Sequence, residues 1–189
     1  MNPRNAVCFL AAFLFAFVQL TPAQGTYTQI DVPGASFTAC GGVNTAGDIV
    51  GAYKDASSQY HGFLLSGGTY TTVDYPGAQG TQLNGINDTG QIVGATSSTP
   101  FTGFLYDIAT QAFTTISYPR ATATTPFSIN NAGTIAGYYT YGNGGQSGGF
   151  VWAGTTYRSI KPPGAANSIV HGISTAGEGC WPCPHDAGN

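Results

Sequence analysis

Tyr27-Thr28-Gln29-Ile30-Asp31-Val32 alternates bulky and polar side chains with a period of two, the pattern of a strand with one face buried. Pro33-Gly34 ends it, because proline presets φ at the first turn position and glycine accepts a positive φ at the next. Asn44-Thr45-Ala46-Gly47 then reads as a hairpin turn: the asparagine side chain can bond backbone two residues on, and the glycine takes the left-handed position. The apolar run Ile49-Val50-Gly51 follows, and then His61-Gly62-Phe63-Leu64, closed by Ser66-Gly67-Gly68. Together these blocks predict four short antiparallel strands over 27–32, 36–44, 48–54 and 60–66.

The same blocks return in the same order. Tyr27 to Ala35 is answered by Tyr70 to Ala78, Phe113 to Ala121 and Tyr157 to Ala165, at steps of 43, 43 and 44 residues. Gly42-Val43-Asn44-Thr45-Ala46-Gly47 matches Gly85 to Gly90, Ser128 to Gly133 and Gly172 to Gly177. Ile-Val-Gly recurs as Ile92-Val93-Gly94 and Ile135-Ala136-Gly137, and the Gly-Phe-Leu run as Thr102-Gly103-Phe104-Leu105 and Gly149-Phe150-Val151. Outside the N-terminal segment no stretch of ten residues carries a helical period. A four-stranded unit of this length fits a β-propeller blade, since helical repeats need a 3.6 pattern and β-helix coils are shorter. The expected fold is all-β: a propeller-like array of four-stranded antiparallel repeats, with three full units and part of a fourth. The units fall at 27–69, 70–112, 113–156 and 157–178, within a repeat domain spanning 24–178.

The N-terminal segment reads as an export signal. Arg4 precedes an apolar run from Ala6 to Leu20 broken only by Gln19, and Thr21-Pro22-Ala23 offers a small residue at the cut. Residues 1–23 are therefore expected to be a cleaved signal peptide, too short in its apolar run to span a bilayer. The mature chain is expected to be secreted, extracellular or periplasmic, with no membrane attachment after cleavage. Charged residues make up only 7% of the chain, against roughly a quarter in an average soluble domain. Its 28 glycines, 11 tyrosines and 11 phenylalanines suit an extracellular β protein. After the signal, only Lys54, Arg120, Arg158 and Lys161 are basic, and the net charge of the full chain is -3. Scattered cations of that kind exclude nucleic acid as a partner.

The units resemble extracellular repeat proteins of the HAF type. The typical pattern of that family runs Gly-Ile-Asn-x-x-Gly-x-Ile-Val-Gly-x-Tyr, then His-Gly-Phe, then aromatic-Thr-x-Ile-Asp-x-Pro-Gly-Ala. The first unit matches it through Asn44, Gly47, Ile49, Val50, Gly51, Tyr53, His61 and Phe63. The resemblance covers residues 27–178 and implies secretion and a propeller-like repeat; it implies no activity and no catalytic residues. The histidine is replaced by Thr102 in the second unit and Gly148 in the third.

The fourth unit follows the pattern as far as Gly177, where Gly179-Cys180-Trp181 stands in place of Ile-Val-Gly. Residues 179–189 are expected to be a divergent, disordered tail. Closed propellers take four to eight blades, so a truncated or frame-shifted copy, or closure by oligomerisation, is expected. Open sheet edges would then be available to a second copy of the chain.

Several motifs invite chemistry. Gly145-Gln146-Ser147-Gly148-Gly149 has the Gly-x-Ser-x-Gly spacing of serine hydrolases, but that motif needs a strand, a tight turn and a helix, and Ser147 is placed in a hairpin loop. Cys180-Trp181-Pro182-Cys183 has redox and half-zinc spacing, without the helix that lowers a thiol pKa or four convergent ligands; it is read as an incidental pair that can form a disulfide. Cys40 aligns with Leu83 and Val170 and is placed in the core. Asp31 and Asp74 align with Ser117 and Lys161 and are read as turn or cap residues. No catalytic, metal or cofactor site is assigned.

The expected function is a non-enzymatic binding module for a glycan or another surface polymer. The candidate ligand surface is Tyr138, Tyr139 and Tyr141, beside a loop rich in Gly, Asn and Gln, together with His61. Aromatic faces among neutral polar groups suit sugar rings. The alternatives are a propeller-type hydrolase or lyase acting on polysaccharide through His61 or the repeated aspartates, and a non-functional fragment.

Overall fold

The structure is a computed structural model that describes residues 27–142 and 147–180. The expected signal peptide lies outside these residues, as does all but the start of the expected tail. The described chain is all-β. Three four-stranded antiparallel sheets follow one another: β1 (Phe37–Val43), β2 (Ile49–Lys54), β3 (Tyr60–Ser66) and β4 (Thr69–Thr72); β5 (Thr81–Ile86), β6 (Gln91–Thr96), β7 (Gly103–Asp107) and β8 (Ala112–Ile116); β9 (Ala123–Ile129), β10 (Ile135–Thr140), β11 (Ser147–Ala153) and β12 (Thr156–Ile160). A two-stranded hairpin, β13 (Gly172–Ile173) and β14 (Gly179–Cys180), begins a fourth unit. Among the described residues the sheets do not close into a ring, and they form an incomplete propeller-like array.

The sheets are offset by one strand from the units read in the sequence. The Tyr-Thr-x-Ile block is the fourth strand of the sheet before it, not the first strand of its own unit. Local chemistry explains the shift. Gly67 and Gly68 both have positive φ, at 55° and 81°, as a two-residue hairpin turn of the primed type requires, so Thr69–Thr72 folds straight back onto β3. The Pro-Gly turn after that strand carries the chain to the next sheet. Residues 27–32 form no strand, because among the described residues no third strand precedes them to supply their hydrogen bonds. The other three strands lie where the alternation places them.

Each first strand carries a bulge at one aligned position: Gly41, Asn84 and Phe127 are the extra residues opposite the second strand. Successive first strands approach backbone to backbone here. A Cβ on Gly42 would lie 3.0 Å from Gly85 Cα, and one on Gly85 would lie 3.0 Å from Phe127 O. The first strands are thus the inner edge of the array: β5 packs against β1, β2 and β3, and β9 against β5, β6 and β7.

The core lies between sheets rather than within them. Val50 and Leu64 of the first sheet meet Leu83, Ile86, Ile92, Phe104 and Tyr106 of the second. Val93 and Ile116 of the second meet Ile129, Ile135 and Phe150 of the third. One contact repeats at every junction. The glycine of each Gly-Phe-Leu run leaves a gap that an apolar residue of the next first strand fills. A Cβ at Gly62 would fall 2.8 Å from Leu83 Cγ, one at Gly103 2.6 Å from Pro126 Cδ, and one at Gly149 2.7 Å from Val170 Cγ2. Leu83, Pro126 and Val170 are accordingly among the most buried side chains. Cys40 is the aligned residue of the first sheet, and it is exposed rather than in the core. No earlier sheet is present among the described residues to offer it a glycine gap.

Candidate functional site

Antiparallel connectivity gives the array two sides. One carries the Asn-x-x-Gly turns. Asn87 Oδ1 accepts from Thr89 N (3.1 Å) and Gln91 N (2.9 Å), and Asn130 Oδ1 accepts from Ala132 N (3.1 Å) and Thr134 N (2.9 Å). The amide nitrogens reach onward: Asn87 Nδ2 donates to Asn130 O (3.0 Å) and Asn130 Nδ2 to Ser174 O (2.9 Å). Asp88 clamps three units at once. Its carboxylate accepts from Thr45 N (2.8 Å) and Asn131 Nδ2 (2.7 Å), and its own N–H donates to Asn131 Oδ1 (2.9 Å). The Thr45 N–H, then the Asn131 amide, hold the Asp88 carboxyl below its ordinary value. These recurring polar groups shape and stitch backbone.

The opposite side carries the β2–β3, β6–β7 and β10–β11 loops and the Pro-Gly connections. His61, Tyr138, Tyr139 and Tyr141 all lie at this side, but on the first and third sheets with the second between them, so they do not form one surface. His61, at the start of β3, is held at both ring nitrogens. Nδ1 is 2.7 Å from Asp74 Oδ2, Nε2 is 3.6 Å from Asp55 Oδ2, and the ring stacks on Tyr53 at 5.2 Å between centroids. Asp74 Oδ1 also accepts from Gly62 N (3.2 Å), so Asp74 anchors the histidine rather than capping a turn. Asp31, its counterpart in the first unit, accepts from Gln29 Nε2. The hydrogen bond to Asp74 raises the His61 pKa above its ordinary 6.5 against the opposing effect of burial, with Asp55 adding to the rise. Backbone N–H groups of the 55–59 turn, Gln59 first, hold Asp55 below the usual carboxylate range. An imidazole pinned between two carboxylates closes one loop.

Strand alternation sends neighbours in the expected tyrosine cluster to opposite faces. Tyr139 is buried at 8% exposure, stacks on Tyr118 at 3.7 Å with planes 3° apart, and shares a 3.0 Å hydrogen bond with Ser159 Oγ. Tyr141 meets Tyr139 edge-on at 5.2 Å. Tyr138 points the other way and stacks on Phe127, which in turn stacks on His171 at 4.8 Å. All three rings are packing elements. Ser147 is likewise not a loop residue: it opens β11, and its N–H donates to Asn167 Oδ1 (3.0 Å). Gly145 and Gln146 of that motif, and Trp181 to Cys183 of the other, lie outside the described residues. Gly179 and Cys180, expected to begin the divergent tail, still pair with Ile173 and Gly172.

The feature the sequence reading missed lies on the loop side of the second sheet. A cleft of about 440 Å³ is lined by ten residues, among them Tyr75, Gln79, Thr96, Ser98, Thr99 and Thr102, none of them charged. Volumes of this order are typical of small-ligand sites. The signal was present in the repeat alignment. Thr102 stands where the first unit has His61, so one aligned position is held between two carboxylates in the first sheet and is neutral and open to a cleft in the second. A second cavity, of about 230 Å³, lies between the first and second sheets beside Gly41, Ala52 and Asn84. Among the described residues no cluster of three His, Cys, Asp or Glu side chains is placed to hold a metal ion, and no helix is long and apolar enough to cross a membrane. The chain matches no family model and no curated protein.

Proposed function

We propose that this chain is a secreted, non-enzymatic binding module of the HAF-repeat type, and that it takes a neutral, hydroxyl-rich polymer, a glycan, on the loop side of its second sheet. The observation that carries the reading is the uncharged cleft lined by Tyr75, Gln79, Thr96, Ser98, Thr99 and Thr102. Hydroxyl and amide groups on the loops at the end of a sheet can exchange hydrogen bonds with sugar hydroxyls, directly or through water, and nothing in such a lining favours an ion. The test is titration of the mature protein with neutral oligosaccharides, read by calorimetry and amide NMR. Saturable shifts should cluster at Gln79, Ser98 and Thr102. The paired substitution Gln79→Ala and Ser98→Ala should weaken binding about tenfold, the loss of roughly 1.4 kcal/mol. A panel without binding, or binding indifferent to the pair, would refute it.

A second reading, a hydrolase or lyase acting on polysaccharide, draws on the Asp55–His61–Asp74 chain. It requires turnover of a polysaccharide that Asp74→Asn abolishes.

A further inference from the structure

The repeat places a bulge residue and a second-strand residue side by side at each inter-sheet junction. In the third sheet they are Phe127 and Tyr138, whose rings stack 5.5 Å apart with planes 20° from parallel, and His171 of the fourth unit lies on the far face of Phe127. The same two positions in the first sheet are Gly41 and Ala52, 86 residues earlier. At Gly41 the next strand closes in, since a Cβ there would collide with Leu83 O, but at Ala52 the space that one ring fills in the later junction is left open. It forms the cavity of about 230 Å³, whose walls include Phe37, Ala52, Tyr60, Gln82, Leu83 and Asn84.

We propose that this cavity is a binding site for one uncharged planar aromatic ring of phenol size, seated where the Tyr138 ring sits in the later junction. Two observations support it, independently of the glycan cleft. The walls are those of an aromatic site: Phe37 and Tyr60 meet edge to face, 6.5 Å between centroids and 86° between planes. The size is right, since apolar cavities of about 150 Å³ already hold benzene. Lys54 Nζ, 4.6 Å above the Tyr60 ring, disfavours a cationic ligand at this mouth.

The experiment is a phenol titration of the mature protein followed by amide NMR. Saturable shifts are expected at Ala52, Gln82 and Asn84, with Gln79 unmoved. Ala52→Tyr installs the ring that Tyr138 supplies in the third sheet, and should weaken phenol binding at least tenfold while the rest of the spectrum stays native. If that variant does not fold, Ala52→Val fills the site in part and should still raise the dissociation constant severalfold. Absence of saturable shifts up to the solubility of phenol, shifts confined to Gln79 and its neighbours, or unchanged affinity in a folded Ala52 variant would each overturn the proposal.

Discussion

Leu83→Ala removes the side chain that fills the Gly62 gap between the first two sheets. Leu83 is 1% exposed, and its Cγ would stand 2.8 Å from a Cβ at Gly62. The cavity left behind has little freedom to collapse. One wall is glycine backbone paired into β3, and the bulge next to Leu83 is pinned by Asn84 Nδ2 to Pro126 O at 2.7 Å. Buried Leu→Ala substitutions cost about 2–5 kcal/mol, rising with the cavity that persists, and a rigid site places this one at about 3–4 kcal/mol by the same relation. For a chain of this size that lowers Tm by about 6–16 °C, at some 2–4 °C per kcal/mol. The control is built into the repeat. Cys40→Ala alters the aligned residue of the first sheet, which is exposed, and should stay within about 0.5 kcal/mol of the parent. Urea unfolding of both variants, with the m-value unchanged, reads the two costs directly. Equal midpoints for the two, or a Leu83→Ala cost under about 1 kcal/mol, would refute the interlocking of sheets through these residues.

Other expectations follow from the same contacts. Asn87→Ala unbinds two N–H groups of its own turn and the Asn130 carbonyl, and should cost about 2–3 kcal/mol in urea unfolding, the scale of buried polar groups left unpaired. The folded protein binds the His61 proton more tightly than the unfolded chain does, so its contribution to stability is complete below 6.5 and is lost as pH rises through the higher folded value. Asp74→Asn removes the largest cause of that rise and should bring the His61 midpoint down in an NMR titration of the ring protons; an unchanged midpoint contradicts the assignment. Asp88 behaves with the opposite sign: its depressed folded value adds stability above 3.8, lost as pH falls through the folded value, and Asn131→Ala should raise its midpoint in a carboxyl carbon titration. Cys40 should react with a thiol reagent in the native state, at a rate set by its exposure; protection as complete as that of a buried thiol would place it back in a core.

Much of the fold was legible because glycine and asparagine leave distinct marks at fixed intervals. Gly47, Gly90, Gly133 and Gly177 all adopt positive φ at one turn position, as the spacing implied. The strand boundaries after residue 36 were legible for the same reason. Which strand pairs with which sheet was not, since the Tyr-Thr-x-Ile block has the same alternation whether it opens one sheet or closes another; only the two-residue Gly67-Gly68 turn decides it, by joining the block to what precedes it. The placement of Cys40 failed because alignment reports what a position does when a neighbour is present. The packing of the tyrosines was not legible, because Tyr138 and Tyr139 read as one cluster in a string, although a strand turns them to opposite faces. His61 was singled out for its place in the His-Gly-Phe run, which two other units do not keep, but its surroundings rest on Asp55 and Asp74, which lie 6 and 13 residues away. The neutral cleft is formed by groups spread from Tyr75 to Thr102, individually ordinary, and only their convergence on one loop side makes them a site.

The decisive observation is through-space magnetisation transfer in a sample with labelled leucine and valine methyl groups. If one four-stranded block is stacked sheet on sheet, Leu83 methyl protons will show contacts to the Gly62 α-protons, and Val170 methyl protons to those of Gly149. Contacts of both methyl sets confined to their own strands, with neither glycine reached, would contradict the stacked architecture and the proposals built on it.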